Sequence, residues 1–130
     1  MAPIIKFEDI QAWQRARELN KIIYTESNLQ AFSKDFALKD QIRKSSISIM
    51  SNIAEGFERK SNNEFKYFLN VAKGSAGELR SQLYICFDLN YINDEIFNQC
   101  QKMASEISSM LNSFIKYLEK NPDNNKAANI

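Results

Sequence analysis

Histidine is absent from this chain of 130 residues. Its absence removes the commonest general base, the usual pH switch near neutrality and the imidazole that most metal sites draw on. The two cysteines, Cys86 and Cys100, make only half of a tetrahedral zinc shell, so neither a metal nor a cofactor is expected. Three glycines and two prolines are too few to punctuate strands and tight turns. No apolar run approaches the ~18 residues needed to cross a bilayer. The opening M-A-P-I-I-K-F-E also lacks the basic and apolar regions of a signal peptide. These absences point to an all-α, cytoplasmic protein with reduced, buried thiols and no membrane partner.

What is present fits one domain. A hydrophobic share of 44% over 130 residues can fill a core without disulfide or metal staples. We expect a folded unit over residues 1–120 and a disordered tail over 121–130, where P-D-N-N-K-A-A-N-I has too little apolar content to pack. Net charge is only +1, too small for strong attraction to nucleic acid over the whole surface. Its distribution is uneven: residues 39–80 carry eight basic and five acidic side chains, net +3, and residues 81–130 carry four and six, net −2. A modest basic face on the central hairpin and a solvated mixed surface both account for those counts.

Hydrophobic periodicity divides the chain into four helices. Ile10, Trp13, Ala16, Leu19, Ile22 and Ile23 recur at three and four, predicting a helix over about 9–27, with Glu8 and Asp9 at the positive end of its dipole. The lone Trp13 reads as a partly buried anchor. Ser33 or Asp35 can cap a second helix carrying Leu38, Ile42, Ile49, Ile53 and Phe57, with Gly56 near its stop. Ser61 and Glu64 have capping-box spacing before Phe65, Leu69, Ala72, Ala76, Leu79 and Leu83. Gly74 and Gly77 interrupt that third helix at a cost of up to about 1 kcal/mol each, and close helix contact is the expected compensation. Asn93 caps a fourth helix with a long apolar stripe from Ile96 to Leu118. Short connections predict an up-down-up-down antiparallel four-helix bundle.

The stretch S-I-S-I-M-S-N-I-A-E-G-F, residues 46–57, is apolar over most of a helix circumference, with small polar residues set into it. That pattern describes a central helix of the bundle. Asn52, Glu55 and Glu78 invite comparison with an acid–base or metal site. Carboxylates without a nucleophile, a cleft or a histidine are weak grounds for catalysis. A structural polar network among Gln41, Ser48, Asn52, Glu55, Ser75 and Glu78, with Arg43 in reach, is the favoured reading, fixing how the helices register.

Taken together, F-E-D-I-Q-A-W-Q-R-A, the Q-I-R-K ahead of S-N-I-A-E-G, and E-F-K-Y-F-L-N-V-A-K-G-S-A-G-E-L resemble one family. It is the family of four-helix-bundle proteins first noticed as reading frames inside intervening sequences of 23S ribosomal RNA genes. The resemblance spans roughly residues 7–118. It implies a bundle assembled into a ring-like homopentamer, no established enzyme activity, and kinship with an accessory subunit of diversity-generating retroelements that engages a reverse transcriptase and nucleic acid. The family's recurring polar positions fall on Gln41, Arg43, Ser48, Asn52, Glu55, Glu64, Ser75 and Glu78. Met50 stands where the family often has proline, which removes an imposed kink. Lys44 stands where the family pairs a second arginine with Arg43, which weakens bidentate phosphate recognition.

On this footing the expected function is a non-catalytic, homo-oligomeric protein that associates with RNA or DNA. Candidate contacts are Arg15, Arg17, Arg43, Lys44, Arg59, Lys60, Lys66, Lys73 and Arg80, a set that a fivefold ring would multiply. Tyr67, Tyr84 and Tyr91 are candidates for stacking on bases. The alternative is an adaptor or accessory subunit for a polymerase-type protein, with no direct nucleic-acid contact. Exposed apolar residues on the folded surface would favour that alternative.

Overall fold

The computed structural model describes residues 4–121. Four helices account for most of them: α1 Gln11–Ser27, α2 Phe36–Phe57, α3 Asn62–Asp88 and α4 Asp94–Lys120. Short 3₁₀ turns at Phe7–Asp9 and Phe32–Lys34 precede α1 and α2. Each helix runs antiparallel to the next, and α4 closes the bundle against α1, giving an all-α up-down-up-down four-helix bundle.

The helix starts follow from local chemistry. The Asp35 carboxylate accepts from the Leu38 amide at 3.2 Å, Ser61 Oγ from Glu64 at 3.2 Å, and Asn93 Oδ1 from Ile96 at 2.8 Å. Each satisfies one of the amides that a helix N-terminus leaves free. The acidic pair Glu8 and Asp9 sits in the 3₁₀ turn rather than in α1 itself, whose first turn holds no acid. Helix α3 ends in a Schellman motif: Tyr91 N–H donates to the Cys86 carbonyl at 2.8 Å and Asn90 N–H to that of Phe87 at 3.0 Å. Asn90 takes the left-handed conformation that this cap requires, at φ 61°.

The apolar stripes meet in one core. Leu19, Ile42, Ile49, Ile53, Phe65, Leu69, Leu79, Leu83, Ile107, Leu111 and Leu118 are almost wholly enclosed. Each such side chain contributes about 1.5–3 kcal/mol relative to exposure. Trp13 is half-buried against this core with its ring edge-on to Phe7, centroids 5.2 Å apart. At the bundle end opposite the termini, Tyr91 stacks on Phe32 at 5.1 Å, and its hydroxyl donates to Asp35 at 3.0 Å.

One expectation about glycine is corrected by the packing. A Cβ on Gly74 or Gly77 would meet nothing within 4 Å, so neither brings another helix of this chain close. The close approach occurs at Gly56, where a Cβ would stand 2.7 Å from Phe68 Cβ and 3.0 Å from Phe65 Cδ1. Gly56 is still helical and sets how closely α2 can pack on α3. Of the expected tail, only Asn121 is described; its carbonyl accepts from Asn62 Nδ2, and its own amide donates to the Tyr117 carbonyl at 2.9 Å. The rest of that segment lies outside the described residues.

Candidate nucleic-acid interface

Helical spacing distributes the nine candidate cations over several faces, where their partners differ. Arg15 is ion-paired with both Glu18 and Glu106 at 3.1 Å, and the Glu106 hydrogen bond leads in raising its pKa. Its charge is therefore largely spent within the protein. Arg43 lies 4.3 Å over the Tyr24 ring and donates to Ser27 Oγ at 2.8 Å and the Tyr24 carbonyl at 3.4 Å, tying α2 to α1. Arg59 is paired with Glu55 at 2.8 Å and sits 4.8 Å over Phe68. Arg17 covers Trp13 at 5.8 Å, while Lys44 and Lys60 are exposed, Lys44 on α2 and Lys60 in the α2–α3 connection.

The remaining three stand together. Lys66, Lys73 and Arg80 recur every seven residues on α3, which at 3.6 residues per turn keeps them within an arc of roughly 40°. Asn70 and Gly77 fall between them on the same stripe. Across the groove α4 presents Asn98, Gln101, Ser105, Ser108 and Asn112. Lys73 Nζ donates to Asn112 Oδ1 at 3.1 Å. Arg80 Nε donates to Gln101 Oε1 at 3.4 Å, and Gln101 Nε2 returns a bond to the Arg80 carbonyl at 2.9 Å. None of the three cations is ion-paired among the described residues. Carboxylates stand toward the ends of the groove, at Asp88, Asp94 and Glu95 at one end and Glu119 at the other. The α3–α4 groove is thus a row of three cations, two of them, Lys73 and Arg80, held by neutral amides, and a cation held that way keeps its charge for an external anion.

The tyrosines separate in the same way. Tyr91 is committed to Phe32 and Asp35, and that carboxylate leads in pushing its pKa up. Tyr67, 63% exposed, is edge-on to Phe68 and lies off the cationic stripe. Tyr84 is 54% exposed, one turn beyond Arg80 on that stripe, with its ring at 5.1 Å and 69° to Phe97.

The polar seam between α2 and α3 brings most of the expected network together. Asn52 Nδ2 donates to the Ser48 carbonyl at 2.8 Å and to Ser48 Oγ at 3.0 Å. Ser48 and Ser75 hydroxyls are 2.8 Å apart. Glu78 forms a second link between α2 and α3 with Ser45, whose hydroxyl lies 3.3 Å from Glu78 Oε1 and 3.1 Å from the Gln41 carbonyl. Gln41 takes part through its backbone alone, and Glu55 lies outside with Arg59. Sequence reasoning passed over Ser45, the Ser46–Asn20 bond of 2.8 Å linking α2 to α1, and the α4 amides. The stripe Asn98, Gln101, Ser105, Ser108 and Asn112, free of acids at helical spacing, was the available signal for the last.

Cys86 and Cys100 are fully buried free thiols, and burial pushes the pKa of each up to about 12. Among the described residues no cluster of three or more histidine, cysteine, aspartate or glutamate side chains could hold a metal ion. No described helix is long and apolar enough to cross a membrane.

Fold and groove together define a small helical-bundle protein with a groove between its last two helices that is cationic along its middle and carries carboxylates at its ends. The chain belongs to the 23S rRNA-intervening sequence protein family, whose model matches residues 8–113. It is similar to a protein with unknown function from the S23 ribosomal protein family of Bacteroides thetaiotaomicron, known from its crystal structure. The two are 28% identical with a TM-score of 0.74, over 81% of this chain and 95% of the other. No curated protein matches the sequence.

Proposed function

We propose that this chain is a non-catalytic, homo-oligomeric cytoplasmic protein that associates with nucleic acid. The observation that carries the reading is the row Lys66, Lys73 and Arg80, without an acid partner among the described residues, with Lys73 positioned by Asn112 and Arg80 by Gln101. Charge alone would not give a single protomer high affinity, because three phosphate contacts are few. Repetition in a ring, which the family resemblance implies, supplies the multivalency. Surface available for such assembly lies on the outer side of α2 and α3, where Ile47 is 42%, Tyr67 63% and Ile85 46% exposed beside the open Gly74.

The test is size-exclusion chromatography with light scattering and absorbance at 260 and 280 nm, on protein purified at low salt. A multimer of about five chains carrying excess 260 nm absorbance, shed at high salt, is the expected result. Lys66→Ala, Lys73→Ala and Arg80→Ala combined should abolish the nucleic-acid component and leave the multimer intact. A triple variant that retains its nucleic acid would refute the groove assignment.

Exposed apolar side chains favour a second reading, that of an accessory subunit docking on a polymerase-type protein. Phe36 is 68%, Leu89 50% and Leu29 49% exposed, all toward the bundle end that holds the α1–α2 and α3–α4 connections. A clean multimer without nucleic acid in the same chromatography would shift the reading to this alternative.

A further inference from the structure

The α3–α4 groove contains more than cations. Continuing the stripe of Lys66, Lys73 and Arg80 by four residues reaches Tyr84, which helical geometry places about 27 Å from Lys66 along the axis. Tyr84 has over half its surface open to solvent, and no described residue bonds its hydroxyl. Its ring meets Phe97 in a T-shaped contact, and Phe97 in turn packs on Phe87 at 4.6 Å, so the ring is braced by the bundle. Arg80, one turn away, has its Nε engaged by Gln101. Arg80 is exposed, and no ion pair among the described residues takes up its charge.

We propose that this groove selects single-stranded over double-stranded nucleic acid, with Tyr84 as the base-stacking platform and the α3 cations tracking the phosphates. The inference rests on the nucleic-acid reading above and adds the form of the strand. Three features lead to it. The cations form one line along one helix, which follows one backbone; a duplex offers two. An aromatic side chain with over half its surface exposed lies in line with the cations, the combination by which proteins hold unpaired strands. A base face is available to Tyr84 only where the base is unpaired or extruded, because in a duplex both faces are stacked on neighbours. Stacking tolerates every base, so binding should be indifferent to sequence.

The experiment is fluorescence anisotropy of the full-length protein with a labelled mixed-sequence 20-nucleotide single strand and with the matching 20-base-pair duplex, at a fixed salt concentration. The single strand should bind at least tenfold more tightly. Tyr84→Ala should weaken single-strand binding by roughly five- to a hundredfold, while duplex binding stays as it was. Tyr84→Phe should restore the single-strand affinity, because the ring and not the hydroxyl is required. Circular dichroism and melting of both variants establish that the bundle is intact. Equal affinity for the two forms, or a Tyr84→Ala variant that binds the single strand as the parent does, would overturn the strand preference while leaving nucleic-acid association standing. Binding of neither form by the parent protein would overturn both.

Discussion

Replacing each of the three glycines with alanine separates two effects that sequence alone cannot. All three are helical, so alanine should gain about 1 kcal/mol of propensity at every position. At Gly74 and Gly77 nothing opposes the gain, since the new methyl would meet no atom within 4 Å. At Gly56 the methyl would lie 2.7 Å from Phe68 Cβ, an atom fixed to the α3 backbone that no rotamer change can move away. Ordinary contact begins near 3.5 Å, so α2 and α3 must part by a substantial fraction of an ångström where the end of α2 meets the start of α3. Overpacking of that kind costs about 1–3 kcal/mol. The net expectation is Gly56→Ala destabilising by up to about 2 kcal/mol and Gly74→Ala and Gly77→Ala each stabilising by about 0.5–1 kcal/mol. Urea unfolding followed by circular dichroism at 222 nm, at a common low protein concentration, measures all three against the parent. The comparison is internal, because the same propensity gain applies throughout. A Gly56→Ala protein as stable as the Gly74→Ala protein would refute the claim that Gly56 sets the α2–α3 spacing.

Alkaline pH should destabilise the fold. The pKa values of Cys86, Cys100 and Tyr91 are all raised on folding, so the native state holds more protons than the unfolded chain once pH passes the ordinary thiol range. Their stabilisation is complete below about pH 8 and declines as pH rises toward their folded values, by up to ~1.4 kcal/mol per pH unit for each thiol; melting temperatures that are level from pH 8 to 10.5 would contradict this. The same burial should make both thiols inert to Ellman's reagent in the folded protein and reactive within seconds in 6 M guanidinium, whereas rapid native labelling of either would show the helix ends open. Asn52→Leu removes two hydrogen bonds within α2 to Ser48, the residue that meets Ser75 across to α3, and should cost about 0.5–1.5 kcal/mol in urea unfolding; a fully stable, correctly assembled variant would deny Asn52 a structural role. Asp35→Ala loses both a helix cap and the acceptor for Tyr91, for about 1–2 kcal/mol, and a loss no larger than that of Tyr91→Phe would show that the cap contributes nothing.

Most of the fold was legible because each level of the sequence agreed with the next. Asp35, Ser61 and Asn93 mark helix starts by side-chain chemistry that acts over three residues, and the apolar stripes recur at helical spacing. Gly74 and Gly77 misled because a glycine records only that a side chain is missing. Whether the vacancy faces a neighbouring helix or open space depends on a rotation set by the whole bundle. The candidate cations were legible as a list but not as a surface. Arg15, Arg43 and Arg59 are absorbed by Glu106, Ser27 and Glu55, two of these partners lying on other helices. The spacing of Lys66, Lys73 and Arg80 was visible in the sequence, whereas the neutral character of the wall opposite them required knowing that α4 packs there in antiparallel register.

The carboxylate of Asp35 touches two connections at once, starting α2 with one oxygen and holding the α3–α4 turn through Tyr91 with the other. Residues 56 apart in sequence therefore share one anchor at the bundle end away from the termini. Either helical hairpin, loosening alone at that end, would have to surrender a bond belonging to the other. Local fraying there becomes a joint event, so amides in both turns should exchange with solvent as one cooperative unit.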